Sequence, residues 1–459
     1  MTVEKDPPVA DRILRSVTFL ILFLAVFGSF FLRPEPKTDS AVLEDLTKTQ
    51  SDLFFKFIAA GALNIDEAKT EEQKTVLKNA IVGQLQSIDS EPAFRTPEVQ
   101  VQKRMVLAHL GEDISGYDEK SLGPYKEAFQ NLYADRSLPA EGDAILTMPA
   151  TELAVLDYLK RNDPERYAIE HKKAKEKAAS LLTAINIGSI VFLFVITLGL
   201  YGAVRFFFNR PPAYFGRFLD TVKPAQQPVF METAILFLFV MFPVGMILSR
   251  FLSEQWMLPF NFVLMPAAFL ISLLYFKSET RPEMLRWLFW VPVFDQVSSE
   301  DDIAPTQRPF LPSLLKEIGV GIVAWAVIFP VGALATLIAV TLAGGETVPS
   351  VHPIVQYVDG HRLEVFLLAV VIAPIVEEVI FRNFVYGFFR FRFPGFFAAL
   401  FSGFFFAVIH PYSAVLMPQL TVLGAGLAIL REHRPGIVAP IVTHMIVNGL
   451  AFLFMQLLF

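Results

Sequence analysis

The chain has no cysteine and little charge: of 459 residues, 18% are Asp, Glu, Lys or Arg, against roughly 25% in soluble domains. Without cysteine there are no disulfides, no thiol nucleophile and no thiolate metal site. Any extracytoplasmic part must therefore hold together by packing alone. The net charge of −6 gives no basic surface for nucleic acid, which excludes that class of partner. What is present in excess is apolar surface, 54% of residues with 46 Phe. It is gathered into runs of about 20 residues, enough to cross a ~30 Å hydrocarbon core.

Nine such runs lie near Ile13–Leu32, Leu181–Val204, Val229–Ser249, Met257–Tyr275, Ile318–Ala343, Glu364–Phe389, Pro394–His410, Ala414–Leu430 and Pro435–Phe459. The expected fold is all-α: a polytopic bundle of about nine spans, with a helical soluble domain inserted after the first. The first run follows Arg12 and Arg15 and shows no small-x-small cleavage site before Arg33, which fits an uncleaved anchor. The expected division is 1–33 (tail and anchor), 34–178 (extracytoplasmic helical domain), 179–343 (spans two to five) and 344–459 (C-terminal core, spans six to nine).

Loop charge sets the expected orientation. With the N-terminus in the cytoplasm, the inner loops carry Arg205, Arg210, Arg217, Lys223, Lys277, Arg281, Arg286, Arg308, Lys316, Arg390, Arg392, Arg431 and Arg434. The short outer loops carry only Arg250 and Arg362. Lys172, Lys173, Lys175 and Lys177 run against this bias, but they end a long domain, and long domains translocate largely regardless of charge. An integral protein of a bacterial inner membrane is the expected setting, with lipid as its first partner. Within 34–178, Thr70-Glu71-Glu72-Gln73 fits a capping box ahead of Val76, Leu77, Ile81 and Val82. Thr96-Pro97-Glu98 opens a second helix, and Leu153, Leu156 and Leu159 open a last one that turns basic towards the membrane. The segment Tyr125–Tyr133 hints at a tetratricopeptide-like pair, but no 34-residue period is sustained. A cap or spacer offering a surface to a protein partner is the plainer reading. Trp287, Phe289, Trp290 and Phe294, mixed with charge, read as an interfacial segment.

Chemistry-bearing residues concentrate in the last four runs. The sixth contains Glu377-Glu378-Val379-Ile380-Phe381-Arg382. Three charges at the membrane centre would cost on the order of 8–10 kcal/mol if independent, so they must face the bundle interior, where such groups usually mark function. Glu378 and Arg382 share a helix face at i, i+4 with the acid first, as such pairs prefer. Glu377 is turned about 100° away and has no local cation, which suits a general base. Pro374 predicts a kink beside the acids. The seventh run ends at His410-Pro411, and the ninth places His444 and Asn448 on one face. Measured along their helices, Glu377, His410 and His444 lie roughly 18, 24 and 14 Å from the inner ends, compatible with a common level after tilting. His109, His171, His352, His361 and His433 read as surface residues.

Glu377-Glu378-x-x-x-Arg382, Phe406-x-x-x-His410 and His444-x-x-x-Asn448 resemble, in order and on separate spans, the CPBP family of intramembrane proteases, the CAAX-prenyl-endopeptidase and bacteriocin-processing group also called Abi. The resemblance covers about residues 364–459. It implies an intramembrane endopeptidase acting on a protein or peptide. Glu377 and His410 would activate water, His444 and Asn448 would stabilise the oxyanion, and Glu378 and Arg382 would support the site. Family members are often labelled metalloproteases, and one carboxylate with two histidines can bind a divalent metal such as zinc. The chain lacks His-Glu-x-x-His. A metal-free mechanism is favoured, and no metal ligand is assigned. The alternatives are a non-catalytic scaffold or immunity protein of the same family, and a proton-coupled transporter, which would call for inverted repeats. The first span and residues 34–178 lie outside the shared core, so substrates do not carry over with the motif.

Overall fold

The computed structural model describes residues 9–31, 40–65, 68, 70–88, 95–114, 119–134, 137–140, 143–209, 211–280, 282–289, 310–342, 361–410 and 416–458. Arg33, Arg210, Arg281, Trp290, Phe294, Arg308, His352 and Pro411, all used in the sequence reading, lie outside these residues. Every regular element among the described residues is helical. In chain order these are α1 (Val9–Phe31), α2 (Ser40–Leu63), α3 (Glu71–Ser87), α4 (Pro97–His109), α5 (Lys126–Tyr133), α6 (Thr151–Asn162), α7 (Pro164–Phe208) and α8 (Tyr214–Leu219). They continue as α9 (227–249), α10 (Met257–Glu279), α11 (Pro282–Phe289), α12 (Phe310–Leu342), α13 (362–390), α14 (Gly395–Ile409), α15 (Met417–Glu432) and α16 (Val438–Leu458), with short 3₁₀ turns between some of them.

The chain divides into two compact units, one of residues 1–38 with 194–457, the other essentially residues 39–193. In the second unit the expected caps form. Thr70 accepts from the Gln73 N–H and Thr96 from the Val99 N–H, with Pro97 at the helix start, so orphan donors are satisfied at both ends. α4 is the central helix, buried from Val101 to Leu107 around its whole circumference. Two of its polar side chains bond to neighbouring segments: the Ala150 N–H donates to the Gln102 amide oxygen at 3.3 Å and Arg104 Nη2 donates to Ser121 at 2.7 Å. Two expectations need correction. Ile81 is buried, but Val76 and Leu77 are exposed, because the packed face of α3 is set by Ile81, Leu85 and Ile88. The helix opened by Leu153 does not itself turn into the membrane. It ends at Asn162, and a new helix of 45 residues starts at Pro164. Proline excludes the helical conformation from Asp163, which takes φ −147, ψ 80, and is itself suited to a first turn.

Among the described residues, four helices are long and apolar enough to cross a membrane, at Pro164–Phe208, Pro224–Ser249, Met257–Glu279 and Pro312–Leu342; the first of these is divided between the two units. The other apolar runs of the sequence also form helices: α1 is continuous over 23 residues, and others are shorter or interrupted. α14 has 15 residues, about 22 Å at 1.5 Å per residue. α13 passes through two π-helical segments, Leu367–Ile372 and Val379–Val385, and α9 through one at Val240–Val244 that contains Pro243. Phenylalanine builds the core. Phe230 meets Phe276 edge-on at 5.3 Å between α9 and α10, and Phe276 meets Phe384 of α13 at 4.9 Å, a geometry aromatic pairs prefer. α14 and α15 touch at backbone distance: a Cβ on Gly424 would stand 2.6 Å from the Gly403 Cα. That contact fixes the helix carrying His410 against its neighbour.

Candidate active site

The acids sit on α13, where the helix changes register twice. Glu378 and Arg382 are fully buried and pair bidentately, Nε to Oε2 at 2.9 Å and Nη2 to Oε1 at 3.2 Å. The expected i, i+4 pair thus forms even though a π segment begins at Val379. Arg382 Nη1 is buried without a hydrogen-bond partner. Its guanidinium lies 4.9 Å from the ring centroid of Phe406, whose π face attracts a cation. Phe406 also stands 4.4 Å from the His410 ring and 5.7 Å from the His444 ring, so one aromatic side chain positions three members of the cluster.

Both imidazoles are oriented through Nδ1. His410 Nδ1 lies 2.7 Å from the Phe406 carbonyl, one turn back on its own helix. A carbonyl only accepts, so Nδ1 carries the proton and the neutral ring holds its lone pair on Nε2. His444 Nδ1 lies 2.9 Å from Glu378 Oε1, again an acceptor. The two Nε2 atoms then converge on one oxygen, Glu377 Oε2, at 3.9 Å from His410 and 3.8 Å from His444. No hydrogen bond reaches Glu377 among the described residues. Its side chain keeps 17% of its surface, as does that of His410, whereas His444 is buried at 3%. The separation of the two acids read from helix geometry therefore appears in space: Glu378 is neutralised by Arg382 and His444, and Glu377 faces imidazoles across a gap. Glu378, Arg382, Glu377 and His444 together can be electrically neutral, which buried charges require. Asn448 stands one turn beyond His444, and its Nδ2 donates to the Ala369 carbonyl at 2.8 Å.

Glu377 with the two Nε2 atoms is a chemically suitable zinc ligand set, since both rings have an acceptor behind Nδ1 as zinc-bound histidines do. Two ligand atoms of a tetrahedral zinc stand about 3.3 Å apart, and two acceptors bridged by one water about 4.5 Å apart. The spacings of 3.8 and 3.9 Å fall between the two, and among the described residues no three such side chains are gathered closely enough to form a metal cluster.

Several polar residues escaped the sequence reading. The charged C-terminal end of α15 reads as exposed in the sequence, yet Arg431, Glu432 and the following His433 are all buried. Arg431 Nε donates to Asn383 Oδ1 at 2.9 Å and its Nη2 to the Leu288 carbonyl at 3.2 Å. Glu432 accepts from Tyr386 at 2.8 Å and Arg390 at 3.1 Å. His433 Nδ1 reaches the Pro211 carbonyl at 2.8 Å, and Arg434 pairs with the buried Glu317. His433 is therefore corrected from surface to interior; His109, paired with Asp157 at 2.9 Å, and His171 are half-buried, and among the described residues only His361 of the five is exposed. Glu232, the one acid in the third apolar run, is buried and held by Arg15 Nε at 2.9 Å and by the Tyr275 hydroxyl at 2.8 Å. The rule applied to Glu377, that an acid inside an apolar run needs a partner, would have found Glu232 as well.

Residues 360–450 match the family model described as Rce1-like, type II CAAX prenyl endopeptidase. This segment is Rce1-like. The match contains Glu377, Glu378, Arg382, His410, His444 and Asn448 and agrees with the CPBP resemblance of the motifs. No curated protein and no solved structure matches the chain. At the coarse level, the Rce1-like segment and the four long apolar helices describe an integral membrane protein carrying the core of a protease family.

Proposed function

We propose that the protein is an intramembrane endopeptidase that hydrolyses a peptide bond by activating water between Glu377 and His410. The observation that carries this reading is the convergence of His410 Nε2 and His444 Nε2, from two other helices, on the single carboxylate oxygen Glu377 Oε2. A carboxylate and an imidazole lone pair facing each other without a bond between them are two acceptors, and water supplies the donors. As water attacks the carbonyl carbon, its proton passes to Glu377, with His410 holding the water in place. Negative charge develops on the carbonyl oxygen. His444 stabilises it in its protonated form, whose second N–H is on Nε2 while Glu378 balances the charge from Nδ1. The N–H of Asn448 not used on Ala369 assists. Such preorganised donors are worth about 10²–10³ in rate each. Collapse of the tetrahedral intermediate returns the proton to the leaving amine, so one water is consumed for each bond cut. Every step uses side chains of this chain; zinc, if bound, would polarise the carbonyl and sharpen the water, and elemental analysis of active protein measures it directly.

The reading extends to nine spans with the N-terminus cytoplasmic and residues 34–178 outside a bacterial inner membrane, supported by the charge of the short loops. The substrate is a protein or peptide reached from the lipid phase, with residues 34–178 as the surface for a partner. The test compares membrane and secreted proteomes of cells carrying wild type and Glu377→Gln at equal folded levels. Cleavage products present with wild type and absent with Glu377→Gln are expected. Products unchanged in the variant contradict the proposal.

A further inference from the structure

Pro374 lies one helical turn before Glu377 and at the end of the π segment Leu367–Ile372. In that segment the Ala373 N–H bonds to the Leu368 carbonyl, a step of five residues. Continued by one residue, the same register would give the Ala369 carbonyl the N–H of residue 374, and proline has none. The α-type donor, the Ala373 N–H, is already used. The Ala369 carbonyl is thus left without a donor from its own helix, inside a helix bundle where an unsatisfied carbonyl is costly. The donor it receives comes from another span: Asn448 Nδ2 at 2.8 Å. The helices close up at this point, since a Cβ on Gly449 would stand 3.5 Å from Val370 Cγ1. Four residues before Asn448 on the same face is His444, whose Nε2 is set 3.8 Å from Glu377.

We infer that Pro374 is a positioning residue for the hydrolytic site, acting through the carbonyl it leaves open at Ala369, which anchors Asn448 and so fixes His444 against Glu377. Proline in a membrane helix is usually accommodated by whatever donor lies nearby; here that donor belongs to the helix whose placement the chemistry needs. The inference rests on the hydrolase reading and adds to it a residue that touches no reacting atom.

The test uses full-length protein and, as its assay, the cleavage products that distinguish wild type from Glu377→Gln, followed over time. Pro374→Ala restores an N–H that can close on the Ala369 carbonyl and release Asn448. Misplacement of about 1 Å costs on the order of a hundredfold in rate, so product formation is expected to fall tenfold to a hundredfold. Thermal unfolding of the variant is expected to be unchanged or raised, since removing a proline from a helix interior favours the helix. A merely structural role would lower both together. In the double variant Pro374→Ala/Asn448→Ala the rate is expected to fall no further than in Asn448→Ala, because the two changes remove one link. Wild-type rates in Pro374→Ala, or multiplicative losses in the double variant, overturn the inference while leaving the hydrolase reading in place. Products that persist in Glu377→Gln overturn the hydrolase reading itself, and with it this inference.

Discussion

Two polar clusters lie inside the same bundle, and they are built in opposite ways. At Arg431–Arg434, where α15 ends, each of four consecutive side chains is hydrogen-bonded or ion-paired, to Asn383, Tyr386, Arg390, Glu317 and backbone carbonyls. At Glu377 the two imidazole Nε2 atoms stand 3.8 and 3.9 Å from the carboxylate, and the side chain keeps 17% of its surface. Bonded networks in a low-dielectric interior hold elements in place, here with the amide nitrogen of Asn383 as a buried donor without a partner, whereas an acid that receives no hydrogen bond is available to a water. Charge inside a membrane therefore does not by itself mark a reactive site. The distinction lies in whether the charged group itself is hydrogen-bonded.

That contrast can be broken by mutation in a definite order. Glu377→Gln should reduce hydrolysis by about 10²–10⁴-fold, the usual share of a general base, with melting temperature unchanged; product time courses and thermal unfolding in detergent check both halves. Glu317→Ala strikes the bonded cluster and leaves the half-buried Arg434 without its carboxylate. It should destabilise by about 3–5 kcal/mol, read as a loss of folded protein on heating, with activity per folded molecule retained. Gly403→Val forces a side chain into the backbone of α15 and should cost about 1–3 kcal/mol. Thr336→Val removes the bond from Thr336 Oγ1 to Gln419 Oε1, 3.1 Å between α12 and α15. At about 0.6 kcal/mol it should shift melting slightly and leave the rate alone. If Glu317→Ala abolished turnover in molecules that remain folded, the two clusters would not be separable as argued.

Helical class, the caps at Thr70 and Thr96, the Glu378–Arg382 pair and the separation of Glu377 were all legible, because each rests on local helix geometry. The meeting of Glu377, His410 and His444 could be read only as permitted by depth, since tilt and rotation come from packing between spans. The π segments were not legible: Pro374 announces a break, but whether the chain kinks or changes register depends on what donor the neighbouring helix offers, here Asn448. The turn at Arg431–Arg434 misled for the opposite reason. Four polar residues in sequence look solvated, and only the packing of α7, α8, α11, α12 and α13 around them shows that they are interior.

The central claim is that Glu377 activates water and is not itself the nucleophile. Single-turnover cleavage in ¹⁸O-water, with enzyme in excess over one substrate identified from the proteome comparison, separates the two routes by mass spectrometry. Activation of water places ¹⁸O in the new C-terminus of the product and none in the peptide containing Glu377. Label recovered in the Glu377 carboxylate after that single turnover would show an acyl-enzyme and contradict the account.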